Sequence, residues 1–212
     1  MTLDQITALC APHGLMPMAV AEEGAGSVVL LGPDNRVFWR GFSRSPEAKD
    51  GTPHPLDRWS KRVITALAVQ LNATPVFPCE GPPYAPFLRW ASESGSVWPS
   101  PIGPFVGAET GLWISFRGAL ILAERLPKKP ETEAPCQTCA RPCTQACPVG
   151  AFEGGRYDAD RCRAHIATPA GQVCLTKGCL ARAACPVGPD FAPPPAQAEL
   201  HMTAFLNSSV TS

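Results

Sequence analysis

The sequence has no net charge and no long apolar run. Its 18 lysine and arginine residues balance 18 aspartate and glutamate residues over 212 positions. A neutral chain has no general attraction for phosphate backbones or anionic membrane surfaces, so we expect no nucleic-acid partner. No apolar run is long enough to span a bilayer, and the first residues carry no basic leader ahead of an apolar stretch. We therefore expect a soluble, cytoplasmic protein with no membrane partner.

Common catalytic motifs are also missing. The sequence has no suitably spaced pair of carboxylates, no Ser-His-Asp order and no glycine-rich phosphate loop. The catalytic residues are therefore unknown at this level. If the chain is an enzyme, its reactive atom should belong to a bound cofactor.

Cysteine is scarce in the first 130 residues, where only Cys10 and Cys79 occur. The other eight of the ten cysteines crowd between Cys136 and Cys185. In a chain without an export signal, clustered cysteines bind metal more often than they form disulfides. We interpret Cys10 and Cys79 as buried or incidental thiols.

The first cysteine group has the spacing C-x2-C-x3-C-x3-C-P and runs from Cys136 to Pro148. A cubane cluster needs several thiolates from one tight loop, with backbone N–H groups directed at the sulfurs. In bacterial two-cluster ferredoxins the fourth cysteine of such a run binds the other cluster, which requires more cysteines downstream. Here the gap before Cys143 is one residue longer than in those ferredoxins, so the loop should bulge there.

Four downstream cysteines complete the set, and Cys185-Pro-Val-Gly repeats the sequence that follows Cys147. We predict two 4Fe-4S clusters. The ligands predicted for one cluster are Cys136, Cys139, Cys143 and Cys185. The ligands predicted for the other are Cys147, Cys162, Cys174 and Cys179. Zinc is the alternative metal, although only Cys136 and Cys139 have the C-x2-C spacing common in zinc sites.

The cysteine module, with Tyr157-Asp-Ala-Asp-Arg-Cys162 between its two halves, resembles that of epoxyqueuosine reductase. That family joins a cobalamin-binding, nitroreductase-like domain to two 4Fe-4S clusters. The run Gly111–Leu120 also resembles a Gly-x-Trp strand of the cobalamin-processing family. Both resemblances imply a corrinoid. The reductase's catalytic acid and its C-terminal helical repeats, which help to hold transfer RNA, have no counterpart here, so its queuosine chemistry is not implied.

The order of helical and strand patterns predicts an α+β fold. We expect an N-terminal nitroreductase-like, cobalamin-processing-type domain over residues 1–127. A ferredoxin-like two-cluster module should follow over 128–192, with a C-terminal tail over 193–212. The charged, proline-bearing segment Lys128–Pro135 should be a linker.

Three elements are predicted directly by their patterns. Apolar residues at helical spacing predict a helix over Leu56–Leu71. The proline-rich loop Pro78–Pro86 should lead into another helix, over Phe87–Glu93. Strand-forming residues predict one strand, or a bent pair, over Gly111–Leu126.

Four residues are candidate contacts for a second cofactor, which would be a corrinoid or, as an alternative, a flavin. In the proline-rich loop from Phe77 to Phe87, Gly81 allows close backbone approach, and Tyr84 and Phe87 could flank a flat ring. The alternative interpretation is a rigid turn with core aromatics. Arg117 could meet a phosphate or propionamide, or it could pair with an internal carboxylate.

These features predict a redox protein that passes electrons through two clusters to a corrinoid held by the N-terminal domain. Whether it is a reductase in its own right stays open. A redox partner protein is expected in either case. The alternative is a ferredoxin-type electron carrier whose N-terminal domain docks a partner and holds no second cofactor. A third possibility is an interaction module stabilised by zinc.

Overall fold

A computed structural model describes residues 1–127 and 133–208. Within them the chain mixes helices with short strands, which confirms the predicted α+β class. The chain forms two compact units. The first unit extends to Trp98 and resumes at Ile114. The second unit contains Pro99–Trp113 and resumes at Pro135.

These units do not follow the predicted boundaries. Residues 99–113 precede the boundary predicted at 128, yet they belong to the second unit. The predicted tail contains a helix that packs against the cysteine-bearing part of the chain. The predicted linker lies partly outside the described residues, at 128–132, as do the last four residues of the tail.

The first unit begins with helix α1 (Leu3–Cys10). Thr2 accepts a hydrogen bond from the backbone N–H of Gln5, whose side chain accepts one from the backbone N–H of Thr2, so the first turn is capped from both sides. The chain then turns at Gly14, where φ is 68° and an added Cβ would lie 2.6 Å from the Phe38 Cα. Only glycine fits this left-handed position against the neighbouring backbone.

A four-stranded antiparallel sheet follows, made of β1 (Leu15–Glu23), β2 (Gly26–Pro33), β3 (Thr74–Val76) and β6 (Gly118–Leu122). The strands lie in the order β1-β2-β6-β3. Strand β2 is buried along its whole length. This is the pattern of an inner strand covered on both faces.

The strand predicted over Gly111–Leu126 is wrong in its extent, because only Gly118–Leu122 is a strand. Its register is set by pairs such as Val29 with Leu120. Residues 111–113 belong to the second unit, so they cannot continue this strand in the first unit.

Helix α4 (Pro55–Gln70) follows the short helices α2 (Phe38–Phe42) and α3 (Pro46–Lys49) and packs on the sheet. It begins with proline at its first position, and its buried face includes Trp59, Val63 and Leu67. The rings of Phe38 and Phe42 meet Trp59 edge-on, with centroids 5.2 and 6.0 Å away. The helix predicted over Leu56–Leu71 is confirmed within one residue at each end.

Helix α5 spans Phe87–Glu93, as predicted. Strands β4 (Val97–Pro99) and β5 (Phe105–Gly107) come next along the chain. The helices after the cysteine run are α6 (Ala159–Ile166), α7 (Gln172–Lys177), α8 (Leu180–Ala183) and α9 (Pro195–Asn207). In the described part of the chain, every helix is too short or too polar to cross a membrane.

Candidate metal centre

All eight clustered cysteines lie in the second unit, and their side chains fall into two groups of four. In the first group, here called the first tetrad, Cys136 interacts electrostatically with Cys139 and Cys185. Cys143 interacts with the same three thiols. Burial raises the pKa of the Cys136 and Cys143 thiols, and the neighbouring thiolates raise it further.

The second tetrad is Cys147, Cys162, Cys174 and Cys179. Cys162 interacts with Cys179 and Cys147, and Cys174 interacts with all three of the others. Burial raises the pKa of the Cys162 and Cys174 thiols, and nearby thiolates add to the shift. Four thiolates held this close repel one another, and a cationic metal core would remove that repulsion.

The repeated Cys-Pro-Val-Gly sequence is also a repeated conformation. Gly150 and Gly188 have φ values of 61° and 62°. The carbonyl of each glycine accepts a 3.0 Å hydrogen bond from the residue three positions on, Glu153 or Phe191. The two turns therefore have the same conformation. Cys147, before the first turn, belongs to the second tetrad, and Cys185, before the second turn, belongs to the first tetrad.

Backbone N–H groups donate to sulfurs in both tetrads. The N–H of Arg141 donates to the Cys139 Sγ at 3.3 Å, and that of Ala151 donates to the Cys147 Sγ at 3.3 Å. Arg141 has a φ of 57° and lies in the gap before Cys143, where the sequence has its extra residue. The extra residue is thus absorbed by a left-handed turn that also supplies a donor to sulfur. Such N–H bonds to sulfur accompany iron-sulfur clusters and tune their potentials.

The segment around Gly111 lies against the turn that carries Cys185. A Cβ at Gly111 would lie 2.0 Å from the Val187 carbonyl oxygen and 3.2 Å from the Cys185 Sγ, and φ at Gly111 is 56°. The resemblance to the cobalamin-processing family put Gly111–Leu120 in one strand. The structure instead folds the Gly-Leu-Trp part of that run with the cysteines.

Sequence reasoning missed two side chains beside the second tetrad. Tyr157 donates a hydrogen bond to Cys162, and its ring stacks on Phe152 with centroids 5.0 Å apart. Arg182, in α8, interacts with the Cys179 thiolate. In the sequence, Tyr157 was part of the run that resembles the reductase family but had no predicted role. The signal for Arg182 was its position three residues after Cys179 and three before Cys185.

Within residues 1–127 and 133–208, no three His, Cys, Asp or Glu side chains converge closely enough to hold a single metal ion. Ligands of one zinc ion meet at a point, whereas each thiolate of a four-iron cluster binds a different iron and lies farther from its neighbours.

The predicted second-cofactor residues do not all converge. Tyr84 is 65% exposed. A Cβ at Gly81 would lie 2.6 Å from the Tyr84 ring, so Gly81 leaves room for the tyrosine of its own loop. Phe87 is buried and packs against Trp90 and Phe116, with centroids 5.4 and 6.4 Å away.

Phe87 and Phe116 line an open, mostly apolar groove of about 520 Å³ in the first unit. The other residues lining it are Pro78, Ala85, Pro86, Leu88 and Arg89. Of the four predicted contacts, this groove uses Phe87 and not Gly81, Tyr84 or Arg117.

Arg117 has an internal carboxylate partner. Its Nη2 lies 3.4 Å from the Asp57 Oδ1, and its side chain is 15% exposed. Burial lowers the pKa of Arg117, while the charges of Asp57 and Cys79 act in the opposite direction. An arginine remains protonated in spite of such a shift, so Arg117 and Asp57 form an ion pair that is buried on the arginine side and exposed on the carboxylate side.

The chain was compared with protein-family models, with curated proteins and with solved structures. None of the three comparisons gives a match.

Proposed function

We propose that the chain is an iron-sulfur redox protein that binds two 4Fe-4S clusters, one in each tetrad, and passes electrons through them. The observation that carries this proposal is the division of eight thiols into two groups of four. Four thiolates is the number that a 4Fe-4S cluster takes. When bound, each cluster would supply one-electron chemistry at a potential set by its surroundings.

The residues around the sulfurs support iron-sulfur over zinc. N–H donors reach the Cys139 and Cys147 sulfurs, and a third, from Leu180, reaches Cys174. Cys143 and Cys174 are buried, which would keep water away from part of each cluster. The matched Cys-Pro-Val-Gly turns support a ferredoxin-like module with internal pseudo-symmetry.

The proposed electron acceptor is a corrinoid held by the first unit, which we take to be of the cobalamin-processing type. The apolar groove beside Phe87 and Phe116 supports it, since small-molecule sites occupy roughly 300–1,000 Å³ and are mostly apolar. A flavin is the alternative ligand for the same groove.

A second function is favoured by a different observation. Arg117 is engaged by Asp57, and Tyr84 points into solvent beside its own loop, so neither is poised for a ligand in the groove. This arrangement favours an electron carrier whose first unit docks a redox partner protein and holds no second cofactor.

Metal analysis after anaerobic purification tests the clusters. We expect about eight iron and eight sulfide per chain, because two four-iron clusters require them. Replacing Cys185 or Cys179 with serine should each leave about four iron, since each change removes a ligand of one tetrad. Cys10→Ser is the matched control and should retain all the iron, because Cys10 is buried in the first unit. Tightly bound zinc without sulfide would overturn the proposal.

Visible spectroscopy of the reduced protein then separates the two functions. If a corrinoid is the acceptor, adding cobalamin after dithionite should shift the corrinoid bands, and Phe116→Ala should weaken the response. Eight iron with no response to cobalamin or to flavin would identify the electron carrier instead.

A further inference from the structure

A guanidinium joins two segments that carry cysteines of the second tetrad. Arg161, in the first turn of α6, donates through its Nη1 to the carbonyl oxygens of Val149 and Gly150, each at 3.2 Å. Those carbonyls belong to the turn that begins at Cys147, and Cys162 is the next residue after Arg161. One side chain therefore connects the Cys147 turn to the helix that carries Cys162.

Acidic residues hold Arg161 in this orientation. Its backbone N–H donates to the Oδ1 of Asp158, the N-cap of α6, at 2.9 Å. Its Nε lies 3.8 Å from the Asp158 Oδ2, and its Nη1 lies 3.5 Å from the Glu153 Oε2. The Arg161 side chain is half-exposed, so water and salt screen its charge. We therefore attribute its effect on the turn to its directed hydrogen bonds.

The peptide group between Gly150 and Ala151 is hydrogen-bonded at both ends. Its carbonyl oxygen accepts from Arg161, and its N–H donates to the Cys147 Sγ at 3.3 Å. A peptide group is planar, so fixing the direction of the oxygen also fixes the direction of the N–H. A hydrogen bond at the oxygen also polarises the group and strengthens the donor at its other end. Arg161 thus acts on the Cys147 sulfur through a single peptide group.

The matched turn at Cys185 is held in a different way. Its Gly188 carbonyl accepts from the Phe191 N–H, as the Gly150 carbonyl accepts from Glu153. A Cβ at Gly188 would lie 2.4 Å from the Glu109 carbonyl oxygen, so this turn packs against the backbone of an earlier segment. The bonds from an arginine are what the Cys147 turn has in addition.

We propose that Arg161 is a positioning residue of the second tetrad: it directs the Ala151 N–H at the Cys147 Sγ and thereby makes a cluster bound there easier to reduce. This inference rests on the proposed function. A hydrogen bond to a cysteine sulfur draws negative charge from it, and such bonds help to set cluster potentials. The reduction adds one electron, supplied in the test by dithionite, and breaks no bond in the protein.

The first test is an anaerobic potentiometric titration of the iron-loaded, full-length Cys185→Ser protein, which should keep only the second cluster. Arg161→Gln in this protein should shift the balance about tenfold towards the oxidised form, which is about 59 mV for a one-electron couple. Arg161→Lys keeps the charge but has a shorter, non-planar donor, so it should restore only part of the shift. Arg156→Gln is the matched control, since it removes an exposed positive charge from the same segment, and it should change the balance less than about twofold.

Amide hydrogen exchange of the iron-loaded chain with all its cysteines gives a measurement that does not depend on the potential. The Ala151 N–H should exchange about tenfold faster in Arg161→Gln, because it is no longer held towards the sulfur. The Arg141 N–H, which donates to the Cys139 Sγ, is the internal reference. It should exchange at the same rate with and without Arg161.

An unchanged potential in Arg161→Gln with its iron retained would overturn the inference, as would an unchanged exchange rate at Ala151. A wild-type potential in Arg161→Lys would also overturn it, since the charge alone would then explain the shift. If Arg161→Gln does not retain iron, Arg161→Lys decides the question by the same criterion. Absence of iron and sulfide from the wild-type protein would instead remove the proposed function.

Discussion

Replacing Gly111 with alanine should destabilise the second unit and loosen the first tetrad. At this position φ is 56°, and an added Cβ would lie 2.0 Å from the Val187 carbonyl oxygen. The Val187 oxygen is backbone and cannot move aside by rotating a side chain. The turn that carries Cys185 must therefore shift as a whole.

The magnitude follows from two separate effects. A left-handed conformation costs a non-glycine residue about 1–2 kcal/mol. Forcing an extra methyl group into a filled space costs about 1–3 kcal/mol more. Gly24 is a matched control, because its φ is 58° and a Cβ there would meet nothing within 4 Å. Gly24→Ala should show the first effect alone.

The assay is thermal unfolding of the iron-loaded protein combined with the rate of iron release to a chelator. Gly111→Ala should be less stable than Gly24→Ala by about 1–3 kcal/mol, the size of the clash. It should also release iron faster, because Val187 lies two residues from Cys185. If the two variants unfold and release iron alike, the close packing of Gly111 on the Cys185 turn is refuted.

Two further predictions concern the surroundings of the core and of the second tetrad. Hydrogen bonds from Arg62 lower the pKa of Glu47 to about 2. Because the pKa of Glu47 is lower in the folded protein, its charge stabilises the folded state above the unfolded pKa of about 4.3. Glu47→Gln should therefore lower the free energy of unfolding by about 1–2 kcal/mol at pH 7. The effect is limited because the Arg62 side chain is half-exposed. That cost should fade between about pH 4.3 and 2, and thermal unfolding that shows the same difference at pH 7 and pH 3 would contradict it. Tyr157→Phe keeps the ring stack on Phe152 but removes the hydrogen bond to Cys162, so the second cluster should become harder to reduce; an unchanged potential by redox titration would exclude a role for the hydroxyl.

Elements whose residues lie close together in the sequence could be predicted from the sequence. Helix α4 could be predicted because Trp59, Val63 and Leu67 recur on one face, and its proline start reinforces that pattern. The left-handed bulge at Arg141 could be anticipated because one extra residue has to be accommodated between fixed ligand positions.

The path of the Gly111–Leu126 run could not be predicted in the same way. Its composition favours a strand throughout, but composition does not say which unit each part packs in. Gly111 lies closely against Val187, a residue 76 positions later, and the Trp113 ring lies against Arg182. Such long-range contacts leave no periodicity in the sequence.

The second-cofactor residues failed to converge for a related reason. The aromatic ring of Phe87 does line the groove, as predicted, but its partner Phe116 comes from a segment 29 positions later in the chain. Arg117, the next residue after Phe116, forms an ion pair with Asp57 and does not line the groove. Both the Phe87–Phe116 contact and the Arg117–Asp57 ion pair join residues that are distant in the sequence, so local patterns could not predict them.

The placement of Cys185 has a consequence for how the protein matures. Three thiols of the first tetrad leave the ribosome early, at Cys136, Cys139 and Cys143, while the fourth follows more than 40 residues later. The other three thiols of the second tetrad are likewise synthesised after Cys147. Neither tetrad can be complete on a nascent chain that stops before Cys179, so on the proposed function cluster insertion would follow the synthesis of nearly the whole module.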